Sequence, residues 1–325
     1  MSKSKKNYGK KRKKNNQTNA PAAQLNKMPK GYAYMWYAIT AVYAFWMIFI
    51  MRRIILVNYE TTAEKFVDGY VRKNITGMEG MHWLYPVWVI VSCAALLLFV
   101  VYISKILYAE KLTKPIKIIC LVTAVAGCAF ILWYGFFDYE LKGGVNAEFK
   151  DKVSYITASM IGLQYPWSFR LWGVLASASI FMNTMYAYRR YDFNSRVGVI
   201  MGSIGSAAIF ITINCPSVGE QKDFSDPRCL AHWVGALGFA VCCAAPLIIM
   251  LFSKAKKEKG RFLGALIVFA GVLIVMLVLL ITVGKSAIIE NIPMVVAYVL
   301  LLILNFTDFF VKKNAPAIEE ESFNN

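Results

Sequence analysis

Two histidines, a short run of acids and a pair of cysteines are the residues of this chain whose types could do chemistry. The stretch Ile211–Gly238, ITINCPSVGEQKDFSDPRCLAHWVGALG, gathers most of them. It holds Cys215 and Cys229, Glu220, Asp223 and Asp226, and His232; the other histidine is His82. An imidazole titrates near neutral pH and can move a proton when a carboxylate stands beside it. His82, His232, Asp223 and Asp226 are therefore the acid/base set that an enzyme acting on lipid-linked cell-envelope substrates would use, if they converge within hydrogen-bond reach. Two histidines without carboxylate–histidine spacing make too small a set for a metal or haem, and no cysteine pair has zinc spacing, so no metal and no cofactor is expected. Cys215 and Cys229 flank one loop, and a disulfide between them would clasp it, worth roughly 3 kcal/mol through loop-closure entropy. No GxSxG, HExxH, GxxxxGK[ST] or GxGxxG stands in a suitable context, so no catalytic residue is assigned.

The elements that would position these residues are long apolar runs. The chain has 325 residues, 58% of them hydrophobic and only 17% charged, with a mean hydropathy of +0.49. Soluble domains run nearer 45–50% apolar and about 25% charged. A continuous apolar run of about 20 residues crosses a hydrocarbon core as a helix, because only a helix satisfies its own backbone there. The fold class read from the sequence is all-α, a polytopic transmembrane bundle of about eight spans. They fall near Tyr32–Val57, Leu84–Tyr108, Ile116–Phe137, Trp167–Tyr188, Val197–Asn214, Ala231–Phe252, Phe262–Val283 and Ile292–Val311. The membrane domain covers residues 31–312, between a basic disordered tail at 1–30 and a disordered tail at 313–325. The first run is too long, and lacks a small-residue cleavage site, for a cleaved signal peptide, and reads as an uncleaved span.

Charge sets the orientation. With both termini in the cytoplasm, most Lys and Arg fall on the inner side, and their excess there accounts for the whole net charge of +17, as the positive-inside bias requires. Arg52 and Arg53 are the exception, near the outer end of the first span. The basic balance thus needs no specific nucleic acid. The expected partners are membrane lipids, with anionic inner-leaflet lipid at the basic tail. The expected location is the bacterial plasma membrane, as a multi-pass protein. His82, Asp138–Pro166 and the Cys215–Leu230 loop then lie on the outer side. Asn74-Ile75-Thr76 is a glycosylation sequon only in a eukaryotic secretory pathway.

Polar residues inside spans are costly and turn toward protein. The fourth span carries Arg170, Ser177, Ser179 and Asn183. Arg170 and Ser177 share one face and Ser179 and Asn183 another, which predicts neighbours on both sides. Arg170 would snorkel, pair with Asp138 or Glu290, or hold a headgroup phosphate. Asp308 and Lys312 are spaced for a helix-surface pair. Pro246 is the mid-span proline and predicts a kink. Small residues in the fifth and sixth spans (Gly198, Gly202, Gly205; Gly235, Ala236, Gly238) predict the tightest helix pair, with His232 at its outer mouth, and Gly260-x-x-x-Gly264 predicts close packing of the seventh.

The run Tyr188-Arg-Arg-Tyr-Asp-Phe-Asn-Ser-Arg196, a small-residue helix, an outer loop with Pro216 and acids, and His232-Trp-Val-Gly-Ala236 opening the next helix resemble the DRAM/Frag/Sfk group of six-span membrane proteins and their bacterial relatives. The resemblance covers Ile116–Val311. It implies a non-enzymatic protein that senses or organises membrane lipid, with His232 as the carried-over position. The function expected is accordingly lipid or ligand binding at the outer face, with His232, Asp223, Asp226, Arg170 and His82 as the rim. The alternatives are a transporter or channel, or the membrane-embedded enzyme above.

Overall fold

The computed structural model describes residues 84–107, 112–136, 157–164, 166–214, 227–258, 260–284 and 286–311, together with Tyr34, Ala38, Ala41 and Phe45. The two tails, Arg52, Arg53, Asn74, His82, Asp138, Cys215, Asp223, Asp226 and Lys312 lie outside the described residues. Among the described residues the regular elements are helices: α1 (Leu84–Leu107), α2 (Lys114–Phe136), α3 (Ala158–Gln164), α4 (Pro166–Arg190), α5 (Arg196–Asn214), α6 (Pro227–Lys257), α7 (Arg261–Thr282) and α8 (Ala287–Phe306). Five of them, α2, α5, α6, α7 and α8, hold stretches long and apolar enough to cross a membrane. That is the build of an integral membrane protein.

The connections are written in local chemistry. After α4 the chain stops on a Schellman motif: the Phe193 N–H reaches the Tyr188 carbonyl at 2.7 Å and the Asp192 N–H reaches that of Arg189 at 3.2 Å. Asp192 takes the left-handed conformation (φ 43°) that such a stop needs and that Asp tolerates. The hydrophobic contact that accompanies the motif is here Tyr188 edge-on to Phe193, centroids 4.8 Å apart. Ser195 then caps α5, its hydroxyl accepting the Gly198 N–H at 3.1 Å. The run Tyr188–Arg196 is thus, in this fold, a helix stop and a helix start.

Contacts along the helices fix their directions. From one end to the other, α4 meets α8 through Trp172 and Asn291, Leu175 and Tyr298, and Asn183 and Asn305, so the two run parallel. Helix α2 runs against both, Tyr134 packing on Trp172 and Thr123 accepting from Ser179. Helix α5 opposes α4, and α6 opposes α5. This alternation brings Lys114, Lys117, Arg189, Arg190, Arg196, Lys254, Lys256, Lys257 and Arg261 to one end of the bundle, hereafter the basic end.

Helix α4 is the hub. It packs against α1, α2, α3, α5, α6 and α8. Ser177 donates to the Ser206 carbonyl of α5 (3.4 Å) and Ser179 to the Thr123 carbonyl of α2 (2.8 Å), so the two polar faces of this helix do meet neighbours on two sides. Notches in the neighbours admit its large side chains: a Cβ at Gly202 would strike Phe181 and one at Gly198 the Tyr188 hydroxyl. The α5–α6 pair shares the most extensive interface, with Gly205 against the Cys243 backbone and Gly235 against Thr212, as the small-residue spacing predicts.

Three expectations fail. Among the described residues nothing packs against Gly260 or Gly264: a Cβ at either finds no atom within 4 Å. Gly260 instead starts α7 in a positive-φ conformation (98°) that favours glycine. Helix α8 begins five residues before the expected start. Ser286 caps it, its hydroxyl accepting the Ile289 N–H at 3.2 Å, and Pro293 lies within the helix, so Pro246 is not the lone helix proline. Asp308 consequently lies beyond the end of α8, where it meets Arg190 at 3.2 Å; its expected partner Lys312 lies outside the described residues.

Candidate functional site

The end opposite the basic end holds the described members of the expected rim. The first turn of α4 places Phe169 and Arg170 side by side, and both are buried. The opening of α6 places His232, also buried, with its ring 6.4 Å from that of Phe169. His232 Nδ1 lies 3.2 Å from the Thr212 carbonyl of α5. A carbonyl only accepts, so this contact fixes the proton on Nδ1 and leaves Nε2 as the basic nitrogen of the neutral ring. The Thr212 hydroxyl in turn bonds back to Ala208 at 3.2 Å. His232 is therefore a tie between α5 and α6 as well as the residue at their mouth.

At the same end of the bundle, polar groups are held in place by bonds between helices. Trp172 Nε1 donates to Asn291 Oδ1 at 2.8 Å, and the Asn291 amide donates to the Ala287 carbonyl at 2.6 Å. Gly135 of α2 leaves room for that amide, since a Cβ there would lie 2.7 Å from Asn291 Nδ2. Glu290, in the first turn of α8, accepts the Ala158 N–H at 2.8 Å, and Tyr134 donates to the Ala158 carbonyl at 2.7 Å. These two bonds pin the start of α3, a short helix inside what the sequence reads only as an outer loop. Gly162 of α3 abuts Phe169, so α3 packs on the same turn that carries Arg170.

The structure thus brings Arg170 and His232 to one end through Phe169, while His82, Asp223, Asp226 and Cys215 lie outside the described residues. Cys229 is buried and its thiol is free. Cys120 and Cys243 are buried as well, and Cys93, Cys128 and Cys242 half-buried. Among the described residues no group of three or more His, Cys, Asp and Glu is placed to hold a metal ion. What the arrangement offers chemically is a buried guanidinium, which recognises carboxylate or phosphate, at the same end of the bundle as a buried imidazole.

Sequence reasoning missed Trp172, Asn291 and Tyr134. Asn291 carries the readable signal: an amide one turn into an apolar helix is costly unless it is bonded. No family model matches the chain, and no curated protein or solved structure is found to be similar to it.

Proposed function

We propose that this is a non-enzymatic, multi-pass protein of about eight spans with both termini in the cytoplasm, in a bacterial plasma membrane, which binds an anionic lipid headgroup or ligand at its outer face. The observation that carries the reading is Arg170: a guanidinium only 7% exposed, in the opening turn of the hub helix and next to the residue that touches His232. Burying a cation at that depth is expensive, and such residues face binding sites or partners rather than lipid tails. A phosphate or carboxylate is the group that a guanidinium fork fits. His232, and Asp223, Asp226 and His82 from the flanking loops, complete the rim. The gathering of cations at the opposite end supports the orientation.

Transport would need a continuous polar cavity. The polar side chains of α4 speak for binding instead, because they are taken up by backbone carbonyls: Ser179 by α2, Ser177 by α5, and Thr184 by its own helix at 2.7 Å.

The test is native mass spectrometry of the purified chain released from nanodiscs with a mixed lipid extract. Wild type is expected to retain an anionic lipid that Arg170→Gln loses, with Arg170→Lys retaining it in part. His232→Ala is expected to weaken retention and, because the ring ties α5 to α6, to cost about 1 kcal/mol of stability. Wild type and Arg170→Gln carrying the same lipid complement would end the reading.

A further inference from the structure

Helix α7 is the least enclosed of the apolar helices; along it only Phe262 and Phe269 are buried. From Arg261, one side of this helix runs through Gly264, Val268, Gly271 and Val275, spaced to share a face. A Cβ at Gly264 or Gly271 would find no atom within 4 Å. Val268 and Val275 are exposed, as are Ile267 and Ile274 beside them. Two glycines between branched side chains leave a shallow trough on an apolar surface.

At the basic end this trough opens among cations. Helix α6 outruns its apolar part and ends in Lys254, Lys256 and Lys257. Lys256 Nζ lies 4.3 Å above the ring of Phe252. Arg261 lies 4.8 Å above the ring of Phe309 and donates to the Phe309 carbonyl. Phe252 and Phe309 are both half exposed. Aromatic rings with cations over them, at the ends of apolar helices, belong at the headgroup layer, where the ring takes the apolar side and the charge takes the phosphates. The α6–α7 connection is short, so Lys256 and Lys257 stand only a few residues from Arg261, at the basic end from which the trough runs.

We propose that this surface is a phospholipid site. Lys256, Lys257 and Arg261 hold the phosphate of an anionic headgroup, and one acyl chain lies in the trough over Gly264 and Gly271. Charge decides between occupants. A second copy paired symmetrically and in parallel along the same stripe would set Arg261 and its lysines against their equals, whereas an anionic lipid satisfies both the charged mouth and the apolar trough. The site is at the other end of the bundle from Arg170 and stands or falls separately from the outer-face reading.

The experiment exchanges phosphatidylglycerol against phosphatidylcholine in nanodiscs holding the full chain and reads retained lipid by native mass spectrometry. Wild type is expected to prefer phosphatidylglycerol. The double substitution Lys256→Gln and Lys257→Gln is expected to cut that preference roughly tenfold or more, since each juxtamembrane cation contributes about a factor of five. Gly271→Leu, which fills the trough without changing charge, is expected to lower retention of the same lipid while the melting temperature holds. Arg261 is left intact because it also clasps α8. Equal retention of the two lipids by wild type, an unchanged preference in the double variant, or a dimer that Gly271→Leu converts to monomer would each overturn the proposal.

Discussion

Helices α4 and α7 occupy opposite places in one bundle. Helix α4 carries serines, asparagine, threonine and three arginines, and almost all of it is buried. Helix α7 is the most apolar of the five apolar helices, and only 6% of its most apolar stretch is buried, against 67% for α5. In water the relation would run the other way, with the apolar helix inside. Here the lipid-like surface is outside, and the helix that could not face hydrocarbon is wrapped by six others. Hydropathy in this chain measures contact with lipid, and polarity marks the centre. The centre is then held by shape and by hydrogen bonds, because apolar contact by itself gives helices no preference for one another over lipid.

The comparison can be broken most directly at the glycines. Gly205→Val should abolish the folded bundle, since the new Cβ would lie 2.9 Å from the Cys243 backbone nitrogen and backbone cannot move aside cheaply. Loss of the folded fraction in fluorescence-detected size exclusion is the readout. Ile274→Asp, in the middle of the exposed face of α7, should cost about 2.5 kcal/mol or more in a membrane-insertion assay, the charge of placing a carboxylate in hydrocarbon. A cost below about 0.5 kcal/mol would mean that this face meets water, and the contrast with α4 would lose its cause.

Much of this arrangement is legible in residues read one run at a time. The helix bounds of α1, α2, α4, α5 and α7, the two polar faces of α4 and the tight α5–α6 pair all follow from periodicity and side-chain size, which are local properties, whereas α6 runs four to five residues past the expected span at each end. The clustering of cations at one end follows from alternation alone. What is not legible is set by partners far away in the chain. The start of α8 is misplaced because Pro293 imitates a first-turn proline, while the real cap, Ser286, is a single hydroxyl ahead of it. Asp308 is spaced for Lys312 on a continuing helix, but α8 ends at Phe306 and Asp308 meets Arg190. The Gly260–Gly264 spacing has the form of a packing motif, but form does not say whether a partner is present. At the candidate site, His232 is conspicuous in sequence, yet its bond to Thr212 depends on how α5 and α6 meet.

Two tyrosines sharpen the account of what holds the centre. Tyr188 passes the Gly198 notch in α5 and donates to the Pro246 carbonyl of α6 at 2.8 Å; Tyr298 passes Gly127 in α2 and donates to the Leu175 carbonyl of α4 at 3.2 Å. Each hydroxyl thus reaches across one helix to fasten the next. Tyr188→Phe and Tyr298→Phe should each cost about 0.6 kcal/mol, with about 1.7 as the upper bound for such bonds in membranes. The two sites share no partner, so the double variant should cost the sum in an SDS-titration unfolding experiment. A double cost well beyond the sum would show that the two fasteners act through one rearrangement of α4.

The smallest effect is expected from the smallest change on the outermost helix. Gly264→Ala adds one methyl group to α7 where no atom stands within 4 Å, and alanine is the better helix former by up to about 1 kcal/mol. Stability should stay level or rise by no more than that. The same reasoning forbids the substitution at Gly205, where the methyl group would meet backbone, so the two glycine-to-alanine variants form a matched pair with one chemical change and opposite signs. Should Gly264→Ala destabilise the bundle by 1 kcal/mol or more in the same SDS titration, the α7 face would be occupied by protein. Its apolar surface would then be an interface, and burial, hydropathy and polarity would have to be sorted again for the whole bundle.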